Sequence, residues 1–257
     1  MSITPGQIYI MDMLAGGGFT PARISGLQLW LDANNTLYQD AAKTIPAGDG
    51  DVVGAWPDLS GGNDATQSTT AKKPLLDLDV LGSGYPGVLF DNADDFLTWS
   101  DFGLNAMTIY FVTTGVDNGS ADNTLFDLQN DGANPYRVLL RLDHVQNRND
   151  LFMPIIGNFN GVSDPAGKHL HIFQAIEGGA FTWYYDSSTI PDRGPTIKAG
   201  NWINNTITDS RIGLTVSDDK PFNGYCHSLL IYSTSHTSAE REPIAAYLAD
   251  RYGVVLS

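Results

Sequence analysis

The sequence predicts an all-β protein: a two-sheet antiparallel sandwich, preceded by an N-terminal arm and closed by one C-terminal helix. Three observations carry that expectation. About ten period-two segments follow one another, each bounded by Gly, Pro, Asn or Asp, with no helical pattern between them. Only 17% of the 257 residues are charged while 42% are hydrophobic, so Asn, Ser, Thr, Gly and Asp must build the surface, as in loop-rich β proteins. The single strong helical pattern lies at the C-terminal end. At this length one sandwich fills the chain and buries enough surface to fold without a metal or disulfide.

The elements follow in order. Residues 1–25 read as an arm, in which the apolar patch "IYIMDML" is followed by the Gly-rich joint "LAGGGFTPA". Its Ile8, Tyr9, Ile10, Met11, Met13 and Leu14 are the expected docking residues for a neighbouring subunit. Residues 26–257 read as one domain. It opens with "LQLWLDA", where Leu27, Leu29 and Leu31 share a face opposite Gln28, Trp30 and Asp32. Strand candidates follow at Gly87 to Phe90, Asp95 to Trp99 and Met107 to Thr114, then at "NTLFDL", "YRVLLRLD", "HLHIFQAIE", "AFTWYYD", "SRIGLTV" and "GYCHSLLIYS". The Gly-Gly in "IEGGAF" is a hairpin signal. In "HTSAEREPIAAYLADRYGVVL", Thr237 and Glu240 have capping-box spacing, and Ile244, Tyr247, Leu248 and Tyr252 share a face. Gly253 is placed to end the helix, and Pro243 is expected to split a first short turn from the helix proper.

Charge and cysteine content exclude several classes. The net charge of −15 comes almost wholly from aspartate, since Glu177, Glu240 and Glu242 are the only glutamates. So acidic a chain repels phosphate backbones, and nucleic acid is not an expected partner. The single cysteine, Cys226, permits no internal disulfide and implies synthesis in a reducing compartment. No basic, apolar start reads as a secretory signal, and no apolar run is long enough to span a membrane.

At four places the chain resembles a known family. "ISGLQLWLDANNTL", "VGAWPDLSGGNDATQ", Pro74 with "YPGVLFDNADDFL", and the closing strand-helix segment are similar to laminin-G-like, concanavalin A-like jelly rolls. The likeness runs from about Ile24 to Leu256 with a weaker middle. It implies a jelly-roll sandwich, and the "FTPA" ahead of "GLQLWLDA" most resembles phage virion proteins. Two positions depart from the family pattern. His227-Ser228 stands where an acid is common, and Asn92 replaces a glycine as a tolerable left-handed residue.

Chemistry-bearing constellations are sparse. Related glucanases carry Glu-x-Asp-x-x-Glu on one strand, and this chain has no such motif, so no catalytic residue is assigned and an enzyme is not expected. Asp77 and Asp79 in "LLDLD" share a strand face without a partner. Acid-rich turns at Asp91, Asp94 and Asp95, at Asp117 and Asp122, and at Asp127 and Asp131 lack the twelve-residue calcium-loop pattern. Such residues mostly shape turns; if calcium binds, Asp91, Asp94 and Asp95 are the preferred ligands, and no other cofactor is expected. His169 and His171 have H-x-H spacing without a third ligand. Cys226 and His227, adjacent on a strand, point to opposite faces and do not pair. Trp99, Tyr184 and Trp202 are the candidate sugar-stacking rings, with Tyr184 facing outward if Phe181, Trp183 and Tyr185 fill the core.

The stretch "VGAWPDLSGGNDATQ" has neither P-loop spacing nor a following helix. Trp56 reads as a core anchor, Asp58 and Ser60 as acceptors for the turn backbone, and Gly61-Gly62 as the positive-φ positions. The leading functional expectation is a phage virion protein of head, fibre or tail. It docks by its arm on capsid or tail subunits, is displayed on the virion surface as a homo-oligomer (a trimer), and is not an enzyme. The alternative is a carbohydrate-binding adhesion module for host-surface glycans, with a glycoside hydrolase or lyase ranked behind both.

Overall fold

A computed structural model describes residues 18–100, 102–104, 106–116, 124–129, 137–143, 148–153, 157–160, 167–176, 180–191, 193–197, 205–207, 209–217 and 220–257. The arm residues Ile8 to Leu14 lie outside them. In chain order the strands are β1 (Leu27–Asp32), β2 (Ala55–Trp56), β3 (Ala65–Thr66), β4 (Leu75–Asp77), β5 (Gly87–Asp91) and β6 (Leu97–Thr98). Next come β7 (Phe102–Leu104), β8 (Ala106–Gly115), β9 (Thr124–Gln129), β10 (Arg137–Asp143), β11 (Arg148–Met153) and β12 (Gly157–Asn160). The last are β13 (Lys168–Ile176), β14 (Ala180–Tyr185), β15 (Arg193–Ile197), β16 (Asn205–Ile207), β17 (Asp209–Ile212) and β18 (Asn223–Tyr232), followed by helix α1 (Ser238–Tyr252).

Two eight-stranded antiparallel sheets form the body. The first runs β15-β14-β13-β8-β18-β5-β4, and β18 is long enough to hold β5 along its first half and β1 along its second. The second sheet runs β12-β11-β10-β9-β17-β6-β3-β2, and β7 pairs with β16 separately. The pairing of β13 with β14 is the hairpin that "IEGGAF" predicts.

Strand alternation feeds two cores. Ile109 and Phe111 of β8, Phe173 and Ala175 of β13, Phe181 and Trp183 of β14, and Leu229 and Ile231 of β18 point between the sheets. There they meet Trp56, Leu97, Phe126, Leu128, Leu140 and Ile212 of the second sheet. The intervening residues Tyr110, Val112, Leu170, Ile172, Tyr184, Leu230 and Tyr232 emerge on the other face, which α1 covers with Ile244, Ala245, Leu248 and Tyr252. Phe19 and Ile24 join this second core, and the Tyr232 hydroxyl donates to the Pro21 carbonyl at 3.0 Å. The domain therefore takes in part of what the sequence assigns to the arm, because these apolar side chains complete the packing beneath the helix.

The helix ends are built as their sequence signals predict. The Glu240 carboxylate accepts the Thr237 N–H and hydroxyl, each at 2.8 Å. Gly253 turns the chain out at φ 66°, where a Cβ would sit 2.6 Å from the Tyr85 hydroxyl. Lys168 Nζ donates to the Tyr252 carbonyl at 2.6 Å, placing a cation at the negative end of the helix. Pro243 does not divide the helix. It lies inside one continuous element, past the first four residues, and its missing N–H forfeits the bond to the Ala239 carbonyl. No helix among the described residues is long and apolar enough to cross a membrane.

One polar cluster pins α1 to the sheet. The Asp32 side chain is fully buried, lies 2.6 Å from Arg251 Nε, and accepts the Tyr252 hydroxyl at 2.5 Å and the Asn34 N–H at 2.9 Å. Removing Asp32 leaves the buried Tyr252 hydroxyl with the His227 carbonyl alone and Arg251, 29% exposed, with water in place of its ion pair. Asp32→Ala is therefore expected to lower unfolding free energy by about 1–3 kcal/mol in urea titration.

Candidate functional site

The loop between β2 and β3 is organised by one carboxylate. Asp58 accepts backbone N–H groups from Trp30 (2.8 Å), Ser60 (2.9 Å), Gly62 (3.1 Å) and Asn63 (3.0 Å), together with the Ser60 hydroxyl at 2.7 Å. Asp64 accepts the Asp58 N–H at 2.9 Å, and Asn63 Nδ2 donates to the Gln28 carbonyl at 2.9 Å. The N–H groups that would cradle a phosphate are thus already occupied by a carboxylate of the chain itself. Trp56 is fully buried, as its reading as an anchor predicts.

Beside this loop lies an open polar cleft of about 490 Å³, lined by Lys43, Asp58, Gly61, Gly62, Asp64, Thr66 and Ser100. Lys43 forms an ion pair with Asp64 across it. Lys43 also sits at φ 59°, a left-handed conformation that costs a residue with a Cβ about 1–2 kcal/mol. The Asp40 carboxylate holds that turn by accepting the Thr44 N–H at 3.0 Å and the Ile45 N–H at 2.8 Å. Both carboxylates are engaged within the chain, so the lining offers a polyhydroxylated ligand the remaining donors of the Lys43 ammonium and the hydroxyls of Thr66 and Ser100.

Thr66 of the lining belongs to the second sheet. A row of cross-strand partners leads from it, Thr66 to Thr98, Thr98 to Arg211, and Arg211 to Asp127. The Arg211 guanidinium lies 4.5 Å from the Phe96 ring centroid and donates to the Thr215 carbonyl at 3.2 Å. Asp127 Oδ2 accepts the Val216 N–H at 2.9 Å.

The residues singled out from sequence are placed elsewhere. Trp99 and Tyr184 are not exposed platforms: 6% and 7% of their surfaces are accessible. Trp99 packs between the sheets. Tyr184 does leave the inter-sheet core, but the face it reaches lies under α1, with the Arg241 guanidinium 4.3 Å from its ring centroid. Trp202 lies outside the described residues. Asp91, Asp94 and Asp95 do not form a calcium shell, and among the described residues no three His, Cys, Asp or Glu side chains could hold a metal ion. Asp91 accepts the Ala93 N–H at 2.9 Å, and Asp95 turns inward to accept the Asp91 N–H at 3.3 Å.

The remaining candidates are structural. Asp79 falls outside β4, in a short turn, and so does not share a strand face with Asp77. His169 Nδ1 lies 2.7 Å from Asp186, while His171 is fully buried and stacks on Phe111 at 4.6 Å. Cys226 points between the sheets, where burial pushes its thiol up. His227 points the other way, 2.8 Å from the Thr114 hydroxyl and 2.6 Å from the Pro86 carbonyl. Sequence reasoning missed Lys43, Gly62 and Ser100 as one lining. Lysine does not advertise a left-handed position as Gly, Asn or Asp do, so nothing in "QDAAKTIP" brings Lys43 to the loop.

No protein-family model matches the sequence, and no curated protein does. Solved structures do. The chain is similar to Trypanosoma rangeli sialidase, with TM-score 0.61 and 11% identity over 95% of this chain and 38% of the sialidase. The same enzyme with 2,3-difluorosialic acid gives 0.60 and 14% over 88% and 33%. This chain thus spans little more than a third of the sialidase chains. Domain 4 of AbnA, a GH43 extracellular arabinanase from Geobacillus stearothermophilus, in complex with arabinotriose, gives 0.53 and 16% over 85% of this chain and 98% of that one.

What is shared is the fold, a two-sheet antiparallel β-sandwich. The expectation that the chain is not an enzyme is overturned by these neighbours, because sialidases are enzymes and their chains contain the same sandwich. The virion expectation draws no support from them; the carbohydrate alternative is the one they favour.

Burial sets the acid response of this region. Desolvation, reinforced by the charge of Asp91, pushes Asp95 up to about 7 against the Asp91 N–H that it accepts. A carboxyl whose folded pKa is raised binds its proton more tightly in the folded state, so its contribution to stability falls as pH rises from about 4 to 7. His227 and His236 have the opposite slope, since burial holds each down at about 4 and their contribution rises with pH up to about 6.5. Asp95→Asn is expected to match the wild-type thermal midpoint near pH 4, climb above it through pH 7, and run parallel to it beyond.

Proposed function

We propose that this chain is a carbohydrate-binding module and that it takes its glycan in the cleft between Lys43, the Asp58 loop and Ser100. The observation that carries the reading is the match, domain for domain, to an arabinanase domain whose structure contains arabinotriose. The cleft supports it on physical grounds. At about 490 Å³ it lies within the range of small-ligand sites, and Lys43, Thr66 and Ser100 of its lining can pair with sugar hydroxyls. The donors and acceptors are also held in place beforehand, Lys43 by its strained turn and the loop by Asp58, which reduces the entropy lost on binding.

The neighbours share too little sequence for their ligands to be transferred, so the sugar is identified on a glycan array that includes arabino-oligosaccharides. Binding of at least one glycan class is expected, and an array without a hit rejects the reading. Lys43 supplies a charge-assisted hydrogen bond, so Lys43→Ala is expected to weaken the best array hit about tenfold in titration calorimetry. The Lys43–Asp64 pair is exposed, and the thermal midpoint should barely move. Unchanged affinity in that variant would place the glycan elsewhere on the domain.

A further inference from the structure

The Asp58 loop is a crest with a depression on each side. On one side Gly61 and Gly62 line the polar cleft; on the other, Leu59 and Ser60 line a second depression of about 250 Å³, walled by Ile24, Ser25 and Leu27. Leu59 and Gly62 are three residues apart, so the crest between them is at most about 11 Å wide, of the order of two or three linked sugar rings.

The residues of the crest are not explained by folding alone. Gly61 needs its glycine, since its φ is +102°. Gly62 does not: its φ lies outside the left-handed region, and a Cβ there would meet no atom within 4 Å. A glycine with neither strain nor crowding, facing a cleft, leaves room for something that approaches the backbone closely. Leu59 keeps 37% of its surface exposed at the start of the second depression, although the loop around it is pinned by four backbone bonds to Asp58. An apolar side chain held rigidly in water suits the C–H face of a sugar ring, while Ser25 beside it offers a hydroxyl to the ring edge.

We infer that the cleft and the second depression are two subsites of one groove, which binds an oligosaccharide lying across the Asp58 loop. Gly62 sets the clearance and Leu59 supports the distal unit. The inference rests on the carbohydrate reading and specifies its ligand as a chain segment of several sugars, in preference to a single terminal sugar.

The test is an array of arabino-, xylo-, galacto- and manno-oligosaccharides of increasing length from the monosaccharide, read with wild type, Leu59→Ala and Gly62→Leu. In the series that binds, wild-type affinity is expected to rise at least tenfold from one unit to three and then level off. Leu59→Ala should retain the affinity for the shortest member and lose most of that gain. Gly62→Leu should lose binding of the longer members with an unchanged circular dichroism spectrum and thermal midpoint. Equal affinity for all lengths, or an intact length dependence in Leu59→Ala, overturns the two-subsite groove and leaves the carbohydrate reading standing. Absence of binding to every series overturns both. Should Gly62→Leu fail to fold, the steric role of Gly62 is refuted directly, and Leu59→Ala still decides the second subsite.

Discussion

The structure depends on a sheet that is buried on both faces. Strand β18 shows the constraint most clearly, because Leu229 and Ile231 enter the space between the sheets while Leu230 and Tyr232 enter the space beneath α1. Each large side chain so buried contributes about 1.5–3 kcal/mol. That return is available on the outer face only if something covers it. The helix does so, and its placement is specified by more than apolar area. A carboxylate at Asp32, cut off from water, demands partners, and Arg251 and Tyr252 meet that demand only when the last helical turn sits over β1. Hydrophobic burial holds the helix on the sheet, and the Asp32 cluster sets where along the sheet it rests.

This arrangement determines where a ligand can bind. With one face of the first sheet against the second sheet and the other under α1, its side chains are unavailable as platforms. Trp30 and Tyr184 belong to it and are enclosed. The described residues of β9 and β10 in the second sheet are likewise buried at successive positions, so the surface left is that of the loops and of the short strands β3 and β6, and there the polar cleft lies. Loops carried on a rigid sandwich are common hosts for binding groups, because the scaffold supplies the precision that a loop lacks. Here the loop is itself stiffened, since Asp58 gathers four backbone N–H groups and ties the turn to Trp30 of β1.

Much of the fold was legible because its signals are local. Thr237 with Glu240, Gly253, and the alternation through β8, β13 and β18 each specify an element without reference to the rest of the chain. Which faces are covered is a non-local fact. Even so, "FTWYY" and "SLLIY" place large apolar residues at successive positions, a pattern of strands enclosed on both sides. Reading only one parity as buried turned Tyr184 outward. Pro243 looked like a break because interior prolines usually are, yet α1 runs on through it, with Pro243 itself buried in the packing of the helix. The cleft was less legible still. Lys43 and Ser100 meet the Asp58 loop through tertiary folding alone, and a lysine at positive φ carries no local signature.

The Asp58 loop separates two roles that sequence leaves merged. The Asp-Leu-Ser-Gly-Gly-Asn-Asp run at residues 58–64 has the polar composition of a phosphate cradle or a calcium loop, and both require groups that remain free for a ligand. Here the carboxylate and the N–H groups satisfy each other, so the loop's strongest polar groups are consumed in holding its own shape. What remains for an outside molecule is weaker and more geometric: the clearance over Gly62, the apolar side of Leu59, and the Lys43 ammonium reaching in from a neighbouring turn. Such a surface has little to offer a compact ion, and the proposed ligand, a long neutral chain, would gain its affinity as the sum of many modest contacts. The features that make the loop a marker of the fold are thus the same ones that decide which kind of ligand it can meet.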